Sequence, residues 1–120
     1  MSPRTAQLGK LATVLAFIAI TYLAIRPSNI VLVDQANDKL KHMLAFASLA
    51  AGLCLFWELP WRKVGGLLLL YGIGIEVVQY FIPGRYASVW DVVADCVGIG
   101  IGILVAIGLQ KLCIVRGTDV

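Results

Sequence analysis

Charge is scarce in this 120-residue chain. Asp, Glu, Lys and Arg make up 14% of it, against 60% apolar residues. Soluble domains carry about 25% charged and about 45–50% apolar residues. A globule this small would therefore have too little polar surface to face water. Histidine occurs once, and Cys54, Cys96 and Cys113 lie singly in apolar runs without CxxC spacing. The cysteines read as small buried hydrophobes rather than disulfide partners. With no Cys/His cluster, neither a zinc site nor another cofactor is expected. Basic clusters interleaved with aromatics are missing, which speaks against a nucleic-acid surface. The chain also lacks repeats, low-complexity tracts and any linker long enough to divide domains. What remains, with a mean hydropathy of +0.89 and a net charge of +3, is one integral membrane domain over residues 1–120.

About twenty apolar residues cross a bilayer as a helix, and four segments approach that length, near 8–25, 38–57, 63–82 and 88–112. An all-α bundle of four transmembrane helices is expected. Arg26-Pro27 ends the first segment, Glu58-Leu59-Pro60 the second and Pro83-Gly84 the third, since proline interrupts helices and these pairs favour turns. The first segment reads as a retained helix rather than a signal peptide, because its apolar run is long and no small-x-small site follows. With the N-terminus inside, Arg4, Lys10, Arg62, Lys63, Lys111 and Arg116 are cytoplasmic. Arg26, Lys39, Lys41 and Arg85 then lie outside. This bias favours cytoplasmic termini. Trp57 and Trp61 would mark the inner interface, and Tyr80, Tyr86 and Trp90 the outer one.

Helix parity brings the start of the second helix, the end of the third and the start of the fourth to one membrane face. The unusual polar residues sit at those places: Asp38, Lys39, Lys41 and His42, then Glu76 and Gln79, then Arg85, Asp91 and Asp95. At about 1.5 Å per residue, His42 lies roughly 6 Å below Asp38 and Asp95 roughly 6 Å below Asp91. Glu76 lies about 10 Å below Pro83 by the same rise. Gly72, Glu76 and Gln79 share one helix stripe, and Ser88, Asp91, Asp95, Gly98 and Gly102 share another. A charge at mid-bilayer costs about 2.5–3.5 kcal/mol on insertion scales. Glu76 is off-centre and pays less, yet still needs a partner or water.

Simpler roles exist for several of these residues. Ser88-x-x-Asp91 has near capping-box spacing, so Asp91 is also a candidate helix cap. Lys41 fits a residue snorkelling to headgroups, and Arg85 a loop contact to lipid phosphate. Asp38, one turn before His42, is placed to hold the imidazole. For Glu76, Gln79, Asp95 and His42, the structural alternative is a polar network that ties helices, and such a network can also build a pocket. The glycines of GIGIG suit close helix packing rather than a nucleotide loop, because no strand precedes them.

DKLKHMLAF followed by IEVVQYFIPGRYASVWDVVADCVG resembles the VanZ-like membrane proteins, named for a teicoplanin-resistance protein. The family pattern is an Asp-Lys-x-x-His helix start, a Glu-x-x-Gln near the end of the next helix, then Arg, then Asp before a Gly-containing helix. Those positions are Asp38, Lys39, His42, Glu76, Gln79, Arg85, Asp91 and Gly98 here. One position departs: many relatives carry Asn where this chain has Asp95. The resemblance implies an α-helical protein of the bacterial cytoplasmic membrane with a cell-envelope role, extending to glycopeptide susceptibility. It supplies no reaction.

Three functions of different classes fit the residues. The first is an outward-facing site for an anionic or glycosylated envelope lipid or lipid-linked precursor. There Lys39 and Arg85 would contact phosphate oxygens, while Asp38, Gln79 and Asp91 help orient the ligand. The second is an enzyme acting on such a lipid. His42 would be its base or nucleophile, Glu76 or Asp95 the partnering carboxylate, and Lys39 and Arg85 the stabilisers of developing charge. The third is a small proton-coupled transporter working as a homodimer around a membrane glutamate. The first reading leads.

Overall fold

The computed structural model describes residues 2–26, 35–83 and 88–118, with side chains from 39 onward in the second helix and up to 112 in the last. Four helices follow one another: α1 (Pro3–Ile25), α2 (Gln35–Leu55), α3 (Trp61–Tyr80) and α4 (Val89–Thr118). No strand occurs among the described residues.

Helix α1 starts five residues earlier than its apolar run. Ser2 is the N-cap, its Oγ accepting from the Thr5 backbone N–H at 3.1 Å, and Pro3 occupies the first turn. Capping and proline geometry, not hydropathy, set that boundary. Helix α4 likewise runs past the segment expected for it, reaching Thr118. Thirty residues at about 1.5 Å each exceed the roughly 30 Å hydrocarbon layer. Between α2 and α3 the chain reverses at Glu58, which takes a left-handed φ of 54°. Leu59 N–H reaches back to Leu53 O at 3.2 Å.

Three helices, α1, α3 and α4 up to Leu112, are long and apolar enough to cross a membrane. Helix α2 has the length but not the composition, because Asp38, Lys39 and Lys41 crowd its first turns. Four helices are therefore present, and three meet the requirement for a span.

Helix α2 is the hub. It packs on all three others and most extensively on α4, whereas α1 and α4 make no mutual packing contact among the described residues. Phe46, Leu49, Ala50, Leu53 and Cys54 form its buried stripe, with the three- and four-residue spacing that keeps side chains on one helical face. Val64, Leu68 and Ile75 answer from α3, and Ile99 and Ala106 from α4. Leucines, isoleucines and valines such as Leu8, Ile18, Leu70 and Leu104 cover the outside and are more than half exposed. An apolar exterior around a small core is the arrangement a lipid solvent allows.

Glycine sets the α2–α4 spacing. A Cβ added at Gly98 would lie 2.9 Å from Met43 Cα and 3.0 Å from its carbonyl carbon, and closer still to the oxygen. One at Gly102 would meet Ala47 O and lie 2.7 Å from Ala50 Cβ. These are the small-xxx-small positions seen in the sequence. On the other side, Tyr71 bonds Thr21 of α1 and packs edge-on against Phe17 at 5.1 Å.

Candidate functional site

The buried stripes of α2, α3 and α4 change character toward one end of the bundle. On α3, Val64, Leu68 and Gly72 lead on to Glu76 and Gln79. On α4, Ala106, Gly102 and Gly98 lead back to Asp95 and Asp91. Helix geometry keeps these residues on the inward face, so carboxylates enter the same seam that the hydrophobic core fills lower down. Asp95 is 1% exposed, Asp91 3%, Gln79 4% and Glu76 8%.

Each carboxylate is held by a group from outside its own helix. Lys39 of α2 forms an ion pair with Asp91 Oδ1 of α4. His42, one turn further along α2, places Nδ1 2.8 Å from Asp95 Oδ1. Glu76 Oε2 accepts the backbone N–H of Ser88 at 2.9 Å, which joins the end of α3 to the start of α4. One ligand-capable atom each from His42, Glu76 and Asp91 lies within 4.8 Å of the others. Gly72 makes room for this arrangement, since a Cβ there would sit 2.8 Å from Asp95 Oδ2.

Lys39 and His42 carry the partly exposed edge, their side chains 30% and 16% accessible. Burial makes an unpaired charge costly, which is why both are paired. Even with His42 protonated, the cluster holds three carboxylates against two cations. Glu76 Oε1 and Gln79 Oε1 are buried with no hydrogen-bond partner among the described residues.

Most residues singled out in the sequence therefore converge. Lys39, His42, Glu76, Asp91 and Asp95 form one cluster. Gln79 turns elsewhere: its Nε2 donates to Ala24 O of α1 at 2.9 Å. Ser88 Oγ accepts the Trp90 N–H at 3.2 Å, but the Ser88 N–H that a capping-box Asp91 would accept goes to Glu76 Oε2, and the Asp91 carboxylate pairs with Lys39. Lys41 is exposed, as a snorkelling residue would be. The Asp38 side chain and Arg85 lie outside the described residues. The Ser88 N–H was not legible as a site group, since backbone donors leave no residue signature. Its place in the sequence just before α4, twelve residues after Glu76, is the only signal.

At the opposite end, Lys10 stacks over Trp57 and Arg62 over Trp61, each cation 5.3 Å from its ring. Aromatic rings with basic partners are typical of a membrane–water interface.

A helical bundle with an apolar exterior, three span-length helices and an ionic cluster buried at one end fits a multi-pass membrane protein with its site between helices. The chain belongs to the VanZ/LLP1 family, whose sequence pattern matches residues 4–112, nearly its whole length. No curated protein and no solved structure matches it.

Proposed function

We propose that the cluster of Lys39, His42, Glu76, Asp91 and Asp95 binds the polar headgroup of an anionic or glycosylated envelope lipid or lipid-linked precursor. In this reading all four helices cross the bacterial cytoplasmic membrane, with both termini in the cytoplasm and the cluster at the outer face. The convergence of five ionisable side chains from two helix starts and one helix end carries the proposal. Ionisable residues inside a membrane protein mark functional sites by default. The carboxylates suit hydroxyl donors of a sugar or glycerol, and Lys39, at the accessible edge, suits phosphate. Arg85, in the connection leading to α4, adds a bidentate phosphate ligand. The Lys10–Trp57 and Arg62–Trp61 pairs support the orientation, since basic residues prefer the cytoplasmic side. An effect on teicoplanin susceptibility follows if the bound lipid is one that glycopeptides act upon.

The His42–Asp95 contact favours a second reading. A carboxylate on Nδ1 orients an imidazole for general-base work, so catalysis on the bound lipid is the alternative. Lipid co-purification tests the first reading. The unmodified protein should retain a specific headgroup class through detergent exchange, and Arg85→Ala and Glu76→Gln should lose it. Identical lipid content in all three would refute binding at this cluster. Full activity of His42→Ala in a susceptibility assay would remove the catalytic alternative.

A further inference from the structure

We propose that His42, Glu76 and Asp91 form a binding site for one divalent first-row transition-metal ion, with Asp95 positioning the His42 ring. The inference rests on the headgroup reading, because it concerns the same cluster and names what completes it.

Three observations carry it. One imidazole and two carboxylates, from three different helices, already bring ligand-capable atoms within 4.8 Å of one another. Zinc bonds of about 2.0–2.1 Å to nitrogen and oxygen place neighbouring ligands roughly 3.3 Å apart in a tetrahedron. The site needs a contraction of about 1.5 Å across its widest pair, within reach of side-chain rotation. Second, Glu76 is more than nine-tenths buried, and its Oε1 has no hydrogen-bond partner among the described residues. Oε2 is already used by Ser88 N–H, so the carboxylate is anchored by one oxygen and offers the other. Third, Asp95 sits 2.8 Å from His42 Nδ1. Metal-binding histidines characteristically pair their second ring nitrogen with a carboxylate, which orients the ring.

Charge points the same way. Three buried carboxylates exceed the positive charge that Lys39 and His42 supply, and a dication would offset the excess. It would bring the cluster to neutrality, since three carboxylates, Lys39 and a neutral His42 sum to a charge that one dication cancels. Three protein ligands leave a fourth position open, and an oxygen of a headgroup phosphate or hydroxyl can occupy it. A mixed nitrogen and oxygen donor set suits zinc or manganese better than magnesium or calcium, which favour oxygen alone. Lys39 is the built-in competitor: its ammonium already occupies Asp91 Oδ1, so the ion takes Oδ2 or displaces the lysine toward the headgroup.

Zinc titration of the full chain tests the site, in detergent after delipidation and chelator treatment, with metal content measured after gel filtration. One zinc per chain is expected. Glu76→Gln, Asp91→Asn and His42→Ala should each weaken binding at least 10-fold. Asp95→Asn should weaken it 10- to 100-fold, as positioning carboxylates do. Ser48→Ala, whose hydroxyl bonds Leu44 O of its own helix, should not. Lys39→Met, relieved of the competing ammonium, should bind more tightly. X-ray absorption on the zinc-loaded unmodified protein should show one imidazole with oxygen ligands, a readout that stands even where a variant fails to fold. Absence of stoichiometric uptake, sulfur among the ligands, or unchanged affinity in both Glu76→Gln and Asp91→Asn would overturn the proposal. Zinc uptake is read without lipid and lipid retention with chelator present, so failure of either reading is seen separately.

Discussion

Gly98→Ala should destabilise the protein and loosen its polar cluster together. The added methyl would stand 2.9 Å from Met43 Cα and 3.0 Å from the carbonyl carbon, and nearer still to the oxygen. Ordinary carbon contacts lie at about 3.5–4.0 Å. All three obstacles are backbone, so no rotamer relieves them, and α4 must retreat from α2 by about 0.5–1 Å. A gap of that size forfeits a quarter to a half of each dispersion contact along the seam, and overpacking of this kind costs about 1–3 kcal/mol. The same retreat separates His42 from Asp95 and Lys39 from Asp91, because both pairs bridge these two helices. Gly100 is the control. A Cβ there meets nothing within 4 Å, so Gly100→Ala should be neutral or stabilise by up to about 1 kcal/mol through helix propensity. Unfolding in matched detergent or bilayer conditions, with lipid or zinc binding in parallel, measures both. Equal stabilities for the two variants would refute glycine-set spacing between α2 and α4.

Three further outcomes follow from other contacts. Tyr71→Phe and Thr21→Val each remove one side of the α1–α3 bond, and a double-mutant cycle should give a coupling of about 0.6–1.7 kcal/mol; a null cycle would mean the bond contributes nothing. Glu58→Gly should raise stability by about 1 kcal/mol, since Glu58 holds a left-handed φ of 54° that glycine adopts without penalty, and a lowered unfolding temperature would contradict this. Lys39→Ala should cost more than Lys41→Ala, by about 1–3 kcal/mol, because only Lys39 neutralises a buried carboxylate; comparable unfolding of the two variants would argue that the ion pair is not formed.

Four helices, their order, and the inward stripes Gly72/Glu76/Gln79 and Asp91/Asp95/Gly98/Gly102 followed from apolar run length and the 3.6-residue period. Both are local properties of consecutive residues, and the structure buries each of these stripe positions, with Ser88 at the head of the second stripe half-buried. Helix parity sufficed to bring three polar ends to one face. Local signals also existed for the early start of α1, in Ser2-Pro3, although hydropathy alone passes over them. The pairings were a different matter. That Lys39 takes Asp91, His42 takes Asp95 and Gln79 leaves the cluster for Ala24 depends on how α2 rotates against α4 and how closely glycine lets them approach. Rotation and approach are set by the fit of side chains on separate helices, which no single segment encodes. For the same reason a lone histidine and scattered carboxylates spoke against a metal site in the linear chain. Tertiary packing alone decided that one imidazole and two carboxylates meet within 4.8 Å, because their distances are fixed between helices and not along them.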